Sequence, residues 1–178
     1  MAAEPLAIRG VMLLRPEVRV DERGSFHRVV DAAELIALGL DPAIAQVSVA
    51  TNRLRGTVRG LHYQVAPHTE SKTLWCTAGS VFDVLVDLRP DEPTYGSWAG
   101  VTLSADEPAA LHVPAGVAHG YQTLVEGADL TYLISAAYHP DSARSLSWAD
   151  PTVGIDWPLP VSAISDRDRE APPWPPSP

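Results

Sequence analysis

The tightest constraint on the fold is a rhythm: short apolar segments rich in Val, Leu, Thr and Tyr recur between Gly, Pro, Asp and Asn punctuation. They fall at 44–51, 56–64, 72–77, 80–89, 97–104, 109–114, 117–125 and 129–138. Strand-length runs separated by turn residues, with no room for helices between them, predict an all-β barrel or sandwich. No β-α-β alternation and no internal repeat of 20 to 50 residues is present, which disfavours a doubly wound sheet or a solenoid. The clearest strand is Val81 to Arg89, where Phe82, Val84, Val86 and Leu88 share one face and Asp83, Asp87 and Arg89 the other. Period-two alternation predicts the apolar face as core. One helix is predicted at 32–39, with Asp31 as its cap and Gly39 as its stop.

A chain of 178 residues fits a single domain, read here as 1–170, with a Pro-rich tail at 171–178 that is extended and docked through Trp174 or else disordered. A net charge of -9, with no basic block, argues against nucleic acid or anionic lipid as partner, so an anionic ligand would need a local positive site. The single cysteine, Cys76, excludes an intramolecular disulfide framework and a multi-cysteine zinc site. With no apolar run long enough to span a bilayer and no leader-like start, the sequence predicts a cytoplasmic protein.

Two clusters carry chemistry. Arg59-Gly60-Leu61-His62-Tyr63-Gln64 collects polar groups inside a strand, where strict alternation would separate Arg59 from His62; a bulge at Gly60 would bring both inward. The second, Pro114 to His119, resembles the second motif of the cupin superfamily. Metal-binding cupins supply a His-x-His pair from the first motif, but here the stretch is His62-Tyr63-Gln64. An amide is a poor ligand for first-row metals, so no metal is expected, although a His62/Glu70/His119 site is the alternative. What remains is a proton-transfer set: His62, His119, Arg59, Lys72 and Tyr132. An imidazole can take a proton beside a carbonyl while a cation stabilises the enolate. For His62 the competing reading is a structural strand histidine, for Tyr132 a core aromatic, and for Asp168 a surface loop acid.

The chain resembles the dTDP-4-dehydrorhamnose 3,5-epimerase family from about residue 8 to 170. The stretches that carry the resemblance are Asp21 to Phe26, Arg59 to Gln64, Phe82 to Arg89, Pro93 to Gly96, Ala118 to Tyr121, Trp148 to Pro151, Asp156 to Pro158 and Ile164 to Asp168. The resemblance implies an all-β jelly-roll (cupin-type) homodimer without cofactor, holding a nucleotide-linked 4-keto-6-deoxysugar in each barrel. It implies His62 as base, Asp168 as its orienting partner, Tyr132 as acid, and Lys72 at the enolate oxygen with His119 nearby. Arg59 and Arg23 would contact the diphosphate, Arg23 reaching a neighbouring subunit's nucleotide. Gln46, Phe26 and Tyr138 would line the nucleotide side. The chain departs from the pattern at Arg28, where many members carry Glu in a region tied to the base. The Asn52 to Gly56 approach is also one residue longer.

Inversion at both C3 and C5 is the first reading and inversion at one centre its nearest rival, since both use the same base and acid. A 3,4-ketoisomerase is a more distant enzymatic alternative. A non-catalytic nucleotide-sugar-binding barrel is the alternative of another class, disfavoured because a pure binder needs no acid and base pair.

Overall fold

The computed structural model describes residues 1–175. In chain order the elements are β1 (Ala2–Pro5), β2 (Met12–Arg15), β3 (Val18–Asp21), β4 (Gly24–His27), α1 (Ala32–Ala37), β5 (Gln46–Asn52), β6 (Val58–Gln64) and β7 (Lys72–Ala78). They continue with β8 (Ser80–Asp87), β9 (Trp98–Ser104), β10 (Ala110–Val113), β11 (Val117–Thr123), β12 (Ala128–Ile134), β13 (Ala143–Ser145) and α2 (Asp166–Arg169). The eight expected segments are β5 to β12. The strands β1 to β4 and β13, and the short α2, are outside that reading; each has only three or four residues, and β1, β3 and β4 are mostly exposed, unlike the equally short but fully buried β10.

Two antiparallel sheets face each other: one in the order β1-β2-β10-β7-β12-β5, the other β13-β6-β11-β8-β9. This is a jelly roll, the all-β class expected. The core between the sheets includes Leu13, Leu74, Val81, Leu85, Leu103, Leu111, Val113 and Leu130. Each such side chain contributes ~1.5–3 kcal/mol by leaving water. On the outer face of the six-stranded sheet, Leu14, Ala110 and Trp75 pack under α1, whose one buried residue is Leu35. That helix starts where expected, with Asp31 Oδ1 accepting from the amides of Ala33 and Glu34. It ends at Ala37, slightly before the expected stop, and Gly39 then takes φ +72°.

The alternation in β8 reads differently in three dimensions. Val84, Val86, Phe82 and Leu88 do not face the space between the sheets; they lie on the outer side under Val153, Ile155, Trp157 and Trp174. Asp83 shares the inner face with Val81 and Leu85 and is fully buried. A strand between β11 and β9, covered on both sides, has no solvent face, so its polar positions mark function or bracing rather than exposure. Asp87 does the bracing: it accepts from Arg89 Nε and Nη2, both at 2.8 Å, and from Thr94 Oγ1 at 2.6 Å.

The C-terminal segment forms the outer cover. The Trp174 amide donates to Asp150 Oδ2 at 2.7 Å, and its ring packs on Tyr95 with centroids 5.0 Å apart. The tail is therefore docked through Trp174; residues 176–178 lie outside the described residues. By contrast, β3 and β4 pair only with each other and leave Val20 78% and Phe26 69% exposed. Among the described residues no helix is long and apolar enough to cross a membrane.

Candidate active site

The bulge expected at Gly60 is present. Across from β11, His62 pairs with His119 and Arg59 with Tyr121, so three steps along β6 match two along β11. Both Arg59 and His62 consequently face the barrel interior. Gly60 sits at φ +119°, and a Cβ there would lie 2.5 Å from the Gly120 Cα. Only a pair of glycines lets the two backbones approach this closely.

Between the sheets opens a cavity of about 290 Å³ lined by Arg59, His62, Lys72, His119, Tyr132, Gln46 and Tyr138, among others. His62 stands on β6, in the five-stranded sheet, and Tyr132 on β12, in the six-stranded one, so base and acid candidates occupy facing walls. His62 Nε2 lies 2.7 Å from Asp168 Oδ1, while the Gly60 amide donates to Asp168 Oδ2 at 3.2 Å. Asp168 is held by α2, whose N-cap Ser165 accepts from the Asp168 amide. Burial works to raise the Asp168 carboxyl, but hydrogen bonds from His62, Gly60 and Ser165 outweigh it and keep it below the usual carboxylate range. An ionised partner at Nε2 keeps the imidazole proton there and leaves the Nδ1 lone pair free.

A second imidazole-carboxylate pair lies deeper. His119 Nε2 is 2.6 Å from Asp83 Oδ1, with both side chains almost completely buried. Desolvation lowers the His119 pKa and raises that of Asp83, each opposed by the partner. Lys72 bridges to Glu70 Oε1 at 2.9 Å and donates to the His62 carbonyl at 3.1 Å, which fixes its ammonium close to His62. Burial holds the Tyr132 phenol well above its ordinary value, with the nearby Tyr121 and Asp83 adding to it. Tyr132 is therefore a neutral O–H donor at any physiological pH.

Gln64, which stands where a metal cupin carries its second histidine, is committed to structure. Its amide nitrogen donates to the His68 carbonyl, Glu70 Oε2 and the Ala137 carbonyl, and its oxygen accepts from the His139 amide. Glu70 is thereby engaged twice, and His62 and His119 each face their own carboxylate. Among the described residues no group of three or more His, Cys, Asp or Glu side chains converges to hold a metal ion.

Not every expected residue joins the cavity. Arg23 and Phe26 lie on the exposed β3–β4 hairpin, where Arg23 pairs with Asp21, apart from the cavity-lining residues. Arg28 is bound to Asp31 at the start of α1. Conversely, Asp83, Asn52, Tyr121, Arg144 and Arg167 were not singled out by sequence. Asp83 was visible as an acid within an apolar strand, but strand phase alone pointed it the wrong way. Arg167 lay in plain view beside Asp168. Arg59, Arg144 and Arg167 line the cavity, and none of the three forms an ion pair with a carboxylate among the described residues. They give the acidic chain a local positive site at the cavity.

A jelly roll that encloses an imidazole-carboxylate dyad, an ammonium and a neutral phenol around one cavity defines a barrel equipped for proton transfer. The profile of the family described as dTDP-4-dehydrorhamnose 3,5-epimerase matches residues 5–175, and the chain belongs to that family. It is an isomerase that epimerises nucleotide-linked 4-keto-6-deoxysugars. A dTDP-4-dehydrorhamnose 3,5-epimerase of Sinorhizobium fredii is 38% identical over 97% of this chain and 89% of that protein. A dTDP-4-dehydrorhamnose 3-epimerase of Streptomyces niveus is 39% identical over 96% of this chain and 83% of its own. Among solved structures, an epimerase of Legionella pneumophila in complex with dTDP-4-keto-L-rhamnose superposes with a TM-score of 0.90. It is 36% identical, covering 96% of this chain and 91% of that one.

Proposed function

We propose that His62 removes the proton from a carbon beside the C4 ketone and that Tyr132 returns one from the opposite face. The observation that carries this reading is the placement of the His62–Asp168 dyad and the Tyr132 phenol on facing sheets across one cavity. As the C–H bond breaks, its electrons form the enolate and negative charge gathers on the C4 oxygen. The Lys72 ammonium and His119 are the groups available to stabilise it. Asp168 keeps the His62 tautomer and stabilises the imidazolium that forms. Reprotonation by Tyr132 inverts the centre; return of the proton by His62 restores it.

The substrate in this reading is dTDP-4-keto-6-deoxyglucose or a derivative. Arg59 binds the diphosphate and Gln46 and Tyr138 line the nucleotide side, with Arg23 and Phe26 supplied by the second subunit of a homodimer. The projecting β3–β4 hairpin, with its uncovered Val20 and Phe26, supports an arm that finds its cover on another copy. A cytoplasmic setting agrees with the single, unpaired and buried Cys76. Inversion at C3 and C5 is the first reading; inversion at C3 alone is the second, favoured by the likeness to the S. niveus 3-epimerase.

The test is incubation with dTDP-4-keto-6-deoxyglucose in deuterated water, followed by proton NMR. Wild-type protein is expected to give inverted product labelled at each centre it inverts. His62→Asn is expected to stop both inversion and exchange of sugar C–H for deuterium, and Tyr132→Phe to retain exchange while losing inversion. Near wild-type exchange by His62→Asn would overturn the base assignment and make His119 the candidate.

A further inference from the structure

Arg59 is held by an amide and, among the described residues, by no acid. Its Nε donates to Asn52 Oδ1 at 2.8 Å, and Nη2 makes a longer contact of 3.4 Å to the Thr51 carbonyl. Nothing among the described residues accepts from Nη1, so that end of the guanidinium is left for a ligand in the cavity that Arg59 lines. Asn52 is 3% exposed and held in turn. Its Nδ2 donates to the Ala128 carbonyl at 2.8 Å, and its Oδ1 accepts a second hydrogen bond, from the Tyr121 hydroxyl at 3.1 Å. Two donors on one side and a carbonyl on the other permit a single orientation of the amide.

Asn52 closes β5 in the six-stranded sheet, opposite Ala128 of β12, whereas Arg59 on β6 lies opposite Tyr121 on β11 in the five-stranded sheet. One side-chain oxygen thus ties the two sheets together behind the cavity: Arg59 and Tyr121 line it and Asn52 does not. A carboxylate at this position would anchor the guanidinium equally well, but it would cancel the positive charge that an anion needs, in a chain whose net charge is already -9. An apolar side chain would leave the Tyr121 hydroxyl and the Ala128 carbonyl buried without partners. It would also free Arg59 to rotate, and a ligand would then bear the entropy of ordering it. The amide fixes the guanidinium and leaves its charge intact.

We propose that Asn52 is a positioning residue for Arg59, presenting an ordered and unneutralised guanidinium to the diphosphate of the nucleotide sugar. This rests on Arg59 binding the diphosphate. Asn52 touches no part of the ligand; it acts through the Nε bond, which aims the Nη1 protons while Tyr121 and Ala128 keep the amide from turning. Its effect falls on affinity for the phosphate groups and leaves the nucleoside and the proton-transfer groups alone.

The test measures Kd for dTDP and for thymidine, by NMR titration, in wild type, Asn52→Ala, Arg59→Ala and the double variant, with a melting temperature for each. Arg59→Ala is expected to weaken dTDP about 10–100-fold, the effect of a hydrogen bond to a charged group. Asn52→Ala should weaken dTDP about 3–10-fold, the effect of ordering one long side chain on binding, and change thymidine by less than about twofold. In the Arg59→Ala background the same change should alter dTDP binding by less than about twofold, because Asn52 acts only through Arg59. Unchanged dTDP affinity in Asn52→Ala, equal loss of dTDP and thymidine, or further loss in the double variant would overturn the proposal. If Asn52→Ala does not fold, Asn52→Asp keeps an oxygen for Arg59 and Tyr121 while neutralising the guanidinium. It should weaken dTDP and flatten the salt dependence of its binding; wild-type affinity and salt dependence would overturn the proposal. Should Arg59→Ala by itself keep wild-type dTDP affinity, the diphosphate assignment fails in that single variant and the proposal with it. Loss in Arg59→Ala without loss in Asn52→Ala overturns the role of Asn52 alone.

Discussion

Asp168→Asn tests the dyad because the structure dictates what an amide must do there. Asp168 uses both oxygens: Oδ1 faces His62 Nε2 at 2.7 Å, and Oδ2 accepts from the Gly60 amide at 3.2 Å. Asparagine has one acceptor to give. If its oxygen stays with Gly60, its NH2 faces Nε2 and forces the imidazole proton to Nδ1, removing the lone pair that would take the substrate proton. If it flips, His62 keeps its tautomer but the Gly60 amide meets another donor. Loss of the correct tautomer costs about 10⁴ in rate in a comparable buried triad. His62 is partly exposed here, so solvent softens the effect, and kcat/KM should fall about 10³-fold, which corresponds to about 4 kcal/mol. Inversion and deuterium exchange should fall together, since both begin at the base.

Stability provides the internal control. A carboxyl whose folded pKa is depressed contributes stability that is present above its unfolded value, near 3.9, and is lost as pH falls through the folded value below it. The wild-type advantage over Asp168→Asn should therefore be flat across neutral pH and shrink only below about pH 4. At neutral pH it should amount to about 2 kcal/mol, or about 4–8 °C in Tm, as for a hydrogen bond to a charged group. The measurements are kcat/KM by NMR product formation and calorimetry over pH. A variant keeping more than about a tenth of wild-type kcat/KM while its Tm falls would refute the tautomer reasoning.

Gly60→Ala should lose at least about 3 kcal/mol of stability, since its Cβ would meet the Gly120 backbone at positive φ; a near wild-type melting curve would contradict this. Exhaustive chelation should leave activity unchanged, because His62, Glu70 and His119 are each engaged elsewhere; about one zinc, iron or manganese per chain, with activity lost on removal, would contradict it. Sedimentation should show a dimer, and Arg23→Ala should raise KM with kcat held within about threefold. An active monomer at assay concentration would count against Arg23 acting across subunits.

The alternation of apolar residues determined the class of fold, because most strands from β6 to β12 bury at least one face, and that requirement is written in residues two apart; β5, with Val47 and Val49 exposed, is the exception. The ends of the chain were less legible. The β3–β4 hairpin has almost no buried face of its own to leave a pattern, and α2 is a single turn held by Ser165 and Asp168. Sequence also singled out Arg59, His62, Lys72, His119 and Tyr132, since titratable groups are conspicuous inside strands that otherwise exclude them, and all five line one cavity. Which partner each would have was decided only by closure of the barrel. His62 meets Asp168 across 106 residues, Tyr121 meets Asn52 across 69, and His119 takes Asp83 from a strand whose phase had suggested the opposite face. Local pattern cannot report such pairs, because strand order, the bulge at Gly60 and the cover laid down by the C-terminal segment set the direction of each side chain. Covering both faces of β8 is what turns Asp83 from an expected outward acid into the buried partner of His119.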